Sequence, residues 1–147
     1  SITKSYRVFA LIIQQGHITA AADRLITIVG MMNTLGGKLQ ARVQTAGVAG
    51  NDVATLTAAL TDFSAKLTDA QKQAQDAVNV SSPLQPDNGD KTVMQSNIAA
   101  LQKARADIVA GEKDLQAARK DVKTIIDGLK NMKASTTASS TTQTQTP

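Results

Sequence analysis

The sequence predicts an all-α protein: three long antiparallel helices in an up-down-up, coiled-coil-like bundle, followed by a disordered C-terminal tail. Three observations carry that expectation. Hydrophobic residues make up 41% of the chain but aromatics only 2%, and a core of Leu, Ile, Val and Ala suits helix-on-helix packing better than a sheet. Apolar residues recur in alternating steps of four and three over long stretches, the period of a helical seam. Runs rich in Gly, Pro and Asn at 47–51 and 81–90 divide the pattern where a chain of 147 residues would turn back on itself.

The first helix is expected from about residue 3 to 46. Its face is Ile18, Ala22, Leu25, Val29, Met32, Leu35, Leu39 and Val43, and Gly47 and Gly50 end it. Two features set it apart. Gly30, Gly36 and Gly37 lie inside the pattern, each costing roughly 1 kcal/mol against Ala. In addition, residues 25–32 are apolar on nearly every side, which a helix with one buried face does not need. Either a second surface covers this stretch or the helix bends at Gly36-Gly37.

The second helix is expected over 51–80, capped by Asn51 or Asp52, with the seam Val53, Leu56, Leu60, Phe63, Leu67, Ala70, Ala74 and Ala77. Residues 81–90, with Pro83, Pro86 and Asn88-Gly89, form the next connection, and Asp90 is a candidate cap for the third helix. That helix is expected over 92–133. Leu101, Ile108, Leu115, Val122 and Leu129 fill one seam position; Ala104, Gly111, Ala118, Ile125 and Met132 fill the other; Asp107, Asp114 and Asp121 form a column beside them. The tail over 134–147 is Ser, Thr, Gln and Ala without apolar period, and is expected to stay disordered.

Charge divides the chain into thirds. Residues 1–50 carry +4, residues 51–90 carry −4 and residues 91–147 carry +4. This favours the two helix contacts that involve the middle segment, though exposed charges are screened within about 8 Å.

The same inventory argues against an enzyme. There is no Cys and a single His, His17, with no glycine-rich nucleophile turn near it, so His17 reads as a structural or surface residue. Glu112 is the only Glu, which leaves a carboxylate-bridged metal pair without ligands. Asp62, Asp69 and Asp76 stand on one stripe, but at about 10.5 Å intervals they are too far apart to share a Ca²⁺. Asp87-Asn88-Gly89-Asp90 lacks the alternating ligands and terminal Glu of an EF-hand. No cofactor, metal or catalytic residue is expected. Nor is nucleic acid, because the cations of the third helix are interspersed with acids and no aromatic platform accompanies them.

No run of about 18 apolar residues exists that could span a bilayer. Residues 8–13, behind Lys4 and Arg7, are too short for a usual signal core and read as an apolar helix face. A start at Ser1 rather than Met is what removal of a leader would leave.

Arg42-Val43-Gln44-Thr45-Ala46-Gly47-Val48, then Asn51-Asp52-Val53 and an Ala/Leu/Asp-rich helix, resembles a pattern of small secreted helical proteins of candidate-phylum ultrasmall bacteria. Tyr6, Phe9, Arg24-Leu25 and Lys38-Leu39 fit its first helix, and Leu115, Ala118-Arg119 and Val122-Lys123 its third. The chain departs from it over residues 28–37, where those proteins tend to be charged. The resemblance implies export and a helical bundle, and supplies no functional residue.

These readings converge on an exported structural or protein-interaction bundle at the cell envelope, self-assembling or bound to another envelope protein. The expected interaction surface is residues 6–36, with Phe9, Ile12, Ile13 and Met31 as anchors and Gly30 and Gly36 admitting a second backbone. The competing arrangement folds Ile12 and Ile13 under the second connection, covered by Leu84. The alternative function is reversible binding to a lipid or membrane surface through the amphipathic helices.

Overall fold

The computed structural model describes residues 2–142, with side chains over 2–133. It is a three-helix bundle of α1 (Ile2–Val48), α2 (Ala54–Ser81) and α3 (Lys91–Thr142). The expectation for the 134–147 tail falls on residues whose side chains, and from 143 onward whose backbone, lie outside the described residues.

Each turn has a local cause. At the end of α1, Gly50 takes φ 96°, a left-handed conformation that costs a residue without Cβ little. The amide of Asn51 then donates to Ala46 O at 3.1 Å and that of Gly50 to Gly47 O at 3.0 Å. This crossed pair is the Schellman closure, which satisfies carbonyls the helix leaves open. Asn51 reinforces it by donating its side-chain amide to Ala46 O. Neither Asn51 nor Asp52 is the cap of α2, which begins one step later with Val53 at the N-cap position and no side-chain cap, while Asp52 Oδ1 accepts the Ala54 amide from just outside the helix. In the second connection Asn88 and Gly89 have φ 52° and 91°. The chain reverses there, and Asp90 Oδ1 accepts the amides of Thr92 and Val93 to open α3.

The core runs the length of the bundle in two clusters. The larger gathers Ile18, Leu25 and Met32 of α1, Phe63, Leu67 and Ala74 of α2, and Leu101, Ile108 and Leu115 of α3. The smaller, near the α1–α2 turn, holds Leu39, Val43, Leu56, Ala59 and Ile125. Two seam positions shift from the sequence expectation. Leu60 is only half-buried and Ala59 takes the inner place. On α1, Leu35 is exposed while Gly36 faces the core. At 100° per residue Leu35 and Leu60 fall on the rims of their apolar faces, and the missing side chain of Gly36 leaves room for the ring of Phe63. A Cβ on Gly36 would come within 2.6 Å of Phe63 Cε1. Gly36 therefore serves packing within the chain, and α1 continues through Gly36-Gly37 as one helix.

The two contacts involving α2 are the most extensive, and α2 with α3 is the largest. Small residues explain this. Ala70, Ala74 and Ala77 of α2 and Ala104, Gly111 and Ala118 of α3 are buried without bulk, so the backbones approach closely. Gly111 leaves space for Leu25, and Gly128 for Leu56. The Lys72–Asp76, Lys103–Asp107 and Lys123–Asp127 ion pairs each lie within one helix and Arg7–Asp87 joins α1 to the second connection, so none of these four draws α2 to α3.

Candidate interaction surface

The expected anchors are on the surface. Tyr6 is 70% exposed, Phe9 61%, Ile12 58%, Ile13 39% and Met31 62%. Leu84 packs against the larger core cluster, to which Leu11 belongs, and leaves Ile12 and Ile13 outside. Gly30 is exposed, with open space around the position of a Cβ. Of the six expected residues, Gly36 alone turns inward, against Phe63.

Tyr6, Phe9, Ile13 and Met31 project from the side of α1 opposite the core, and Ile12 stands roughly a quarter turn away from them. Leu11, Ile18, Ala22, Leu25 and Val29 define the inner face. Half a turn away, Ile2, Tyr6, Phe9, Ile13, Gly16, Ala20, Thr27, Met31, Thr34 and Lys38 form an outer row, all of them exposed. Their spacing is chiefly four and three, and among the described residues no other helix covers this row, whose large apolar members are Ile2, Tyr6, Phe9, Ile13 and Met31. Of the apolar excess over residues 25–32, Met31 alone stands on this row; Ile28 packs against the core and Ile26 is exposed between the two faces. Asp23 and Arg24 straddle the row at its middle, and Lys38 and Arg42 lie toward its C-terminal end. None of these four forms an ion pair among the described residues.

The N-terminal part of α1 is held rather than projecting free. Arg7 Nη1 lies 3.3 Å from Asp87 Oδ1 in the second connection. Gln15 donates its side-chain amide to Ser81 O at 2.9 Å and Leu84 O at 3.1 Å, satisfying carbonyls at the end of α2. Arg105 of α3 donates to Gln14 Oε1 at 2.9 Å. His17 is exposed beside a groove of about 340 Å³ between α1 and α3, lined also by Ile18, Ile108 and Val109. No Ser or Cys nucleophile lines it.

The carboxylates are arranged in a way the sequence reading missed. Asp62, Asp69 and Asp76 on α2 and Asp121, Asp114 and Asp107 on α3 fall opposite one another in the antiparallel register, acid facing acid. Lys103 and Lys72 relieve the step nearest the second connection, Lys103 by hydrogen-bonding Asp107 and Lys72 by pairing with Asp76. At the next step, burial pushes the Asp114 carboxyl up, Asp69 adds to the rise and Lys66 opposes it. At the last, burial raises Asp121 to about 6, aided by a hydrogen bond with Asp62 and by its charge. Asp121 Oδ2 is buried without a hydrogen-bond partner. The signal was available: in an antiparallel hairpin two columns of equal heptad spacing must run past each other. Among the described residues no three acids or imidazoles converge to hold a metal ion, and no helix is long and apolar enough to cross a membrane.

No family model matches the chain, and no match is found among curated proteins or solved structures.

Proposed function

We propose that this protein is an exported, non-catalytic bundle that holds a protein on the outer face of α1, either a second copy of itself or another component of the cell envelope. The observation that carries the reading is the exposure of Tyr6, Phe9, Ile12 and Met31 on one helix that already buries a full seam on its other side. Tyr6, Phe9 and Ile13 are neighbours at helical spacing, and apolar surface grouped in this way marks contacts, whereas single exposed side chains do not. The chain offers no Cys and one His for chemistry. Export rests on the resemblance to small secreted helical proteins and on a Cys-free composition that tolerates an oxidising compartment.

Sedimentation of the purified protein tests the self-association half. Ile13→Glu and Met31→Glu should each shift an oligomer toward monomer, while Val109→Glu, exposed on α3, should not. Equal effects from all three would count against a specific face.

Arg24, Lys38 and Arg42, exposed on the same helix as Phe9 and Ile12, favour a second reading, docking on an anionic lipid surface. Co-sedimentation with anionic vesicles that Ile13→Glu abolishes would support it over a protein partner.

A further inference from the structure

α1 and α3 make the least extensive of the three helix contacts, and a groove follows their junction. It begins beside Tyr6 and Ile98, passes His17 and ends between Arg24 and Arg119. Gln14 lines both its first and middle parts, and Ala21 and Glu112 both its middle and last, so the groove is continuous. From Ile98 to Arg119 it extends roughly 30 Å along α3. The floor is apolar: Ile18, Leu25 and Ile28 of α1 lie beside Ile108 and Leu115 of α3, and Val109 stands exposed on the α3 wall.

The rims carry a charge pattern. Arg105, Glu112 and Arg119 follow one another at heptad intervals on the α3 rim, and Arg24 stands on the α1 rim in the part of the groove that holds Arg119. All four are exposed. None of them forms an ion pair among the described residues, and Arg105 bonds the neutral Gln14 instead. The groove between α1 and α2, beside Gly36 and Gly37, has no charged residue in its lining. The pattern therefore belongs to the α1–α3 groove and is not a general property of the bundle.

We infer that this groove takes an acidic amphipathic helix of another protein, which completes a four-helix bundle. An apolar floor flanked by charges at heptad spacing is how one helix of a coiled coil selects its partner, and the trough between two helices receives the apolar stripe of a third. Complementarity sets the charges of the occupant. It places a carboxylate opposite Arg105, a cation opposite Glu112 and a carboxylate opposite Arg119, with a further carboxylate for Arg24. The chain does not supply such a helix itself. Residues 134–147 contain no Asp or Glu, and the acidic helix α2 buries its apolar seam in its own bundle. An anionic bilayer would meet the arginines but repel Glu112 between them. This face lies about a quarter turn of α1 from the outer row, so it is a second contact surface and goes beyond the role proposed above.

Two synthetic three-heptad peptides test the inference. Both carry Leu along the seam and Glu on the shoulder toward α1; on the shoulder toward α3 one carries Glu-Lys-Glu at heptad spacing and the other Lys-Glu-Lys. Titrated with the full chain at low salt, the Glu-Lys-Glu peptide should bind about tenfold or more tighter. The triple exchange Arg105→Glu, Glu112→Arg, Arg119→Glu should invert that preference. Val109→Glu should abolish binding, and its exposed position leaves the melting temperature a check that the bundle is intact. Ile13→Glu, on the outer row, should leave peptide binding unchanged, so this test stands or falls apart from self-association. Absence of binding by the Glu-Lys-Glu peptide would overturn the inference. So would equal affinity for the two peptides, an unchanged preference in the triple exchange, or binding that survives Val109→Glu. Binding to phosphatidylserine vesicles that Val109→Glu removes, without discrimination between the peptides, would assign the groove to a lipid surface and overturn it as well.

Discussion

Asp121 of α3 stands beside Asp62 of α2: burial lifts the Asp121 carboxyl, and the neighbouring Asp62 carboxyl, which can bond to it only across a shared proton, lifts it further. The pair sits at the end of two facing acidic columns, where the charge of Lys66 opposes the rise. The bundle holds Asp121 protonated to about pH 6, well above an ordinary aspartate near 3.9.

Stability therefore depends on pH with a definite sign. Between about 4 and 6 the folded state binds a proton that the unfolded chain has released, so stabilisation is present at low pH and is lost as pH rises through 6. Asp114, raised in the same direction, adds to the trend. The melting temperature should rise on going from pH 7 to pH 5, and Asp121→Asn should raise it at pH 7 and flatten the dependence. Asp121 is partly exposed, so the gain expected from Asn at pH 7 is about 1 kcal/mol after solvent screening. A wild-type melting curve that falls between pH 7 and 5, or an Asn variant that destabilises at pH 7, would contradict the shared proton.

The glycines should divide into two classes. A Cβ on Gly128 would collide with Leu56 Cδ2, and one on Gly36 with Phe63. Gly37 has nothing within 4 Å of that position. Gly128→Ala and Gly36→Ala should each cost about 1–3 kcal/mol through overpacking. Gly37→Ala should stabilise by up to about 1 kcal/mol, because Ala forms helix more readily. Urea denaturation of the three variants separates the classes; a destabilised Gly37→Ala would mean that its space is in use.

Much of this was legible in the sequence, and what was missed has a physical explanation. Heptad steps placed Leu25, Met32, Leu67, Ile108 and Leu115 in the core because each lies at the centre of a broad apolar face. The same steps misplaced Leu35 and Leu60, rim residues that a period of 3.5 cannot tell from central ones. The role of Gly36 was hidden because absence of a side chain has no hydrophobic signal; only the ring of Phe63 from another helix reveals it. Phe9, Ile12, Ile13 and Met31 stood out as more apolar surface than one core could use, and they are exposed. The opposed acidic columns were visible singly, but their meeting required the α2–α3 register.

Core truncation gives the plainest measure of how α3 is held. Leu115 is 3% exposed and Ile108 8%, and both join the larger cluster. Leu115→Ala and Ile108→Ala should each cost about 2–5 kcal/mol in chemical denaturation, from lost burial plus the cavity left behind. Losses under about 1 kcal/mol at both would mean that α3 is not part of the core.

Gln15 offers a test of how the helix ends are joined. Ser81 is fully buried and gives its own hydroxyl hydrogen to Ala77 O. The carbonyls of Ser81 and Leu84 turn instead to Gln15, at 2.9 and 3.1 Å, with Ser82 O at 3.4 Å. One side chain on α1 thus closes the C-terminal end of α2 and fixes the start of the connection. Gln15→Ala removes the donor, leaving Ser81 O with only the Leu84 amide at 3.3 Å and the Leu84 carbonyl without this bond, at a cost of about 1–2 kcal/mol. The loss should be local first: amides at the end of α2 and in residues 82–90 should exchange faster, while those at the centre of α2 change only with global stability. Gln15→Glu is the sharper variant, because it keeps the length of the side chain but turns a donor toward three carbonyls into an ionised acceptor. It should destabilise more than Gln15→Ala at pH 7 and less so near pH 4, where the acid can regain a proton to donate. Equal behaviour of the two variants across that range would show that packing, rather than the amide's hydrogen bonds, is what Gln15 contributes.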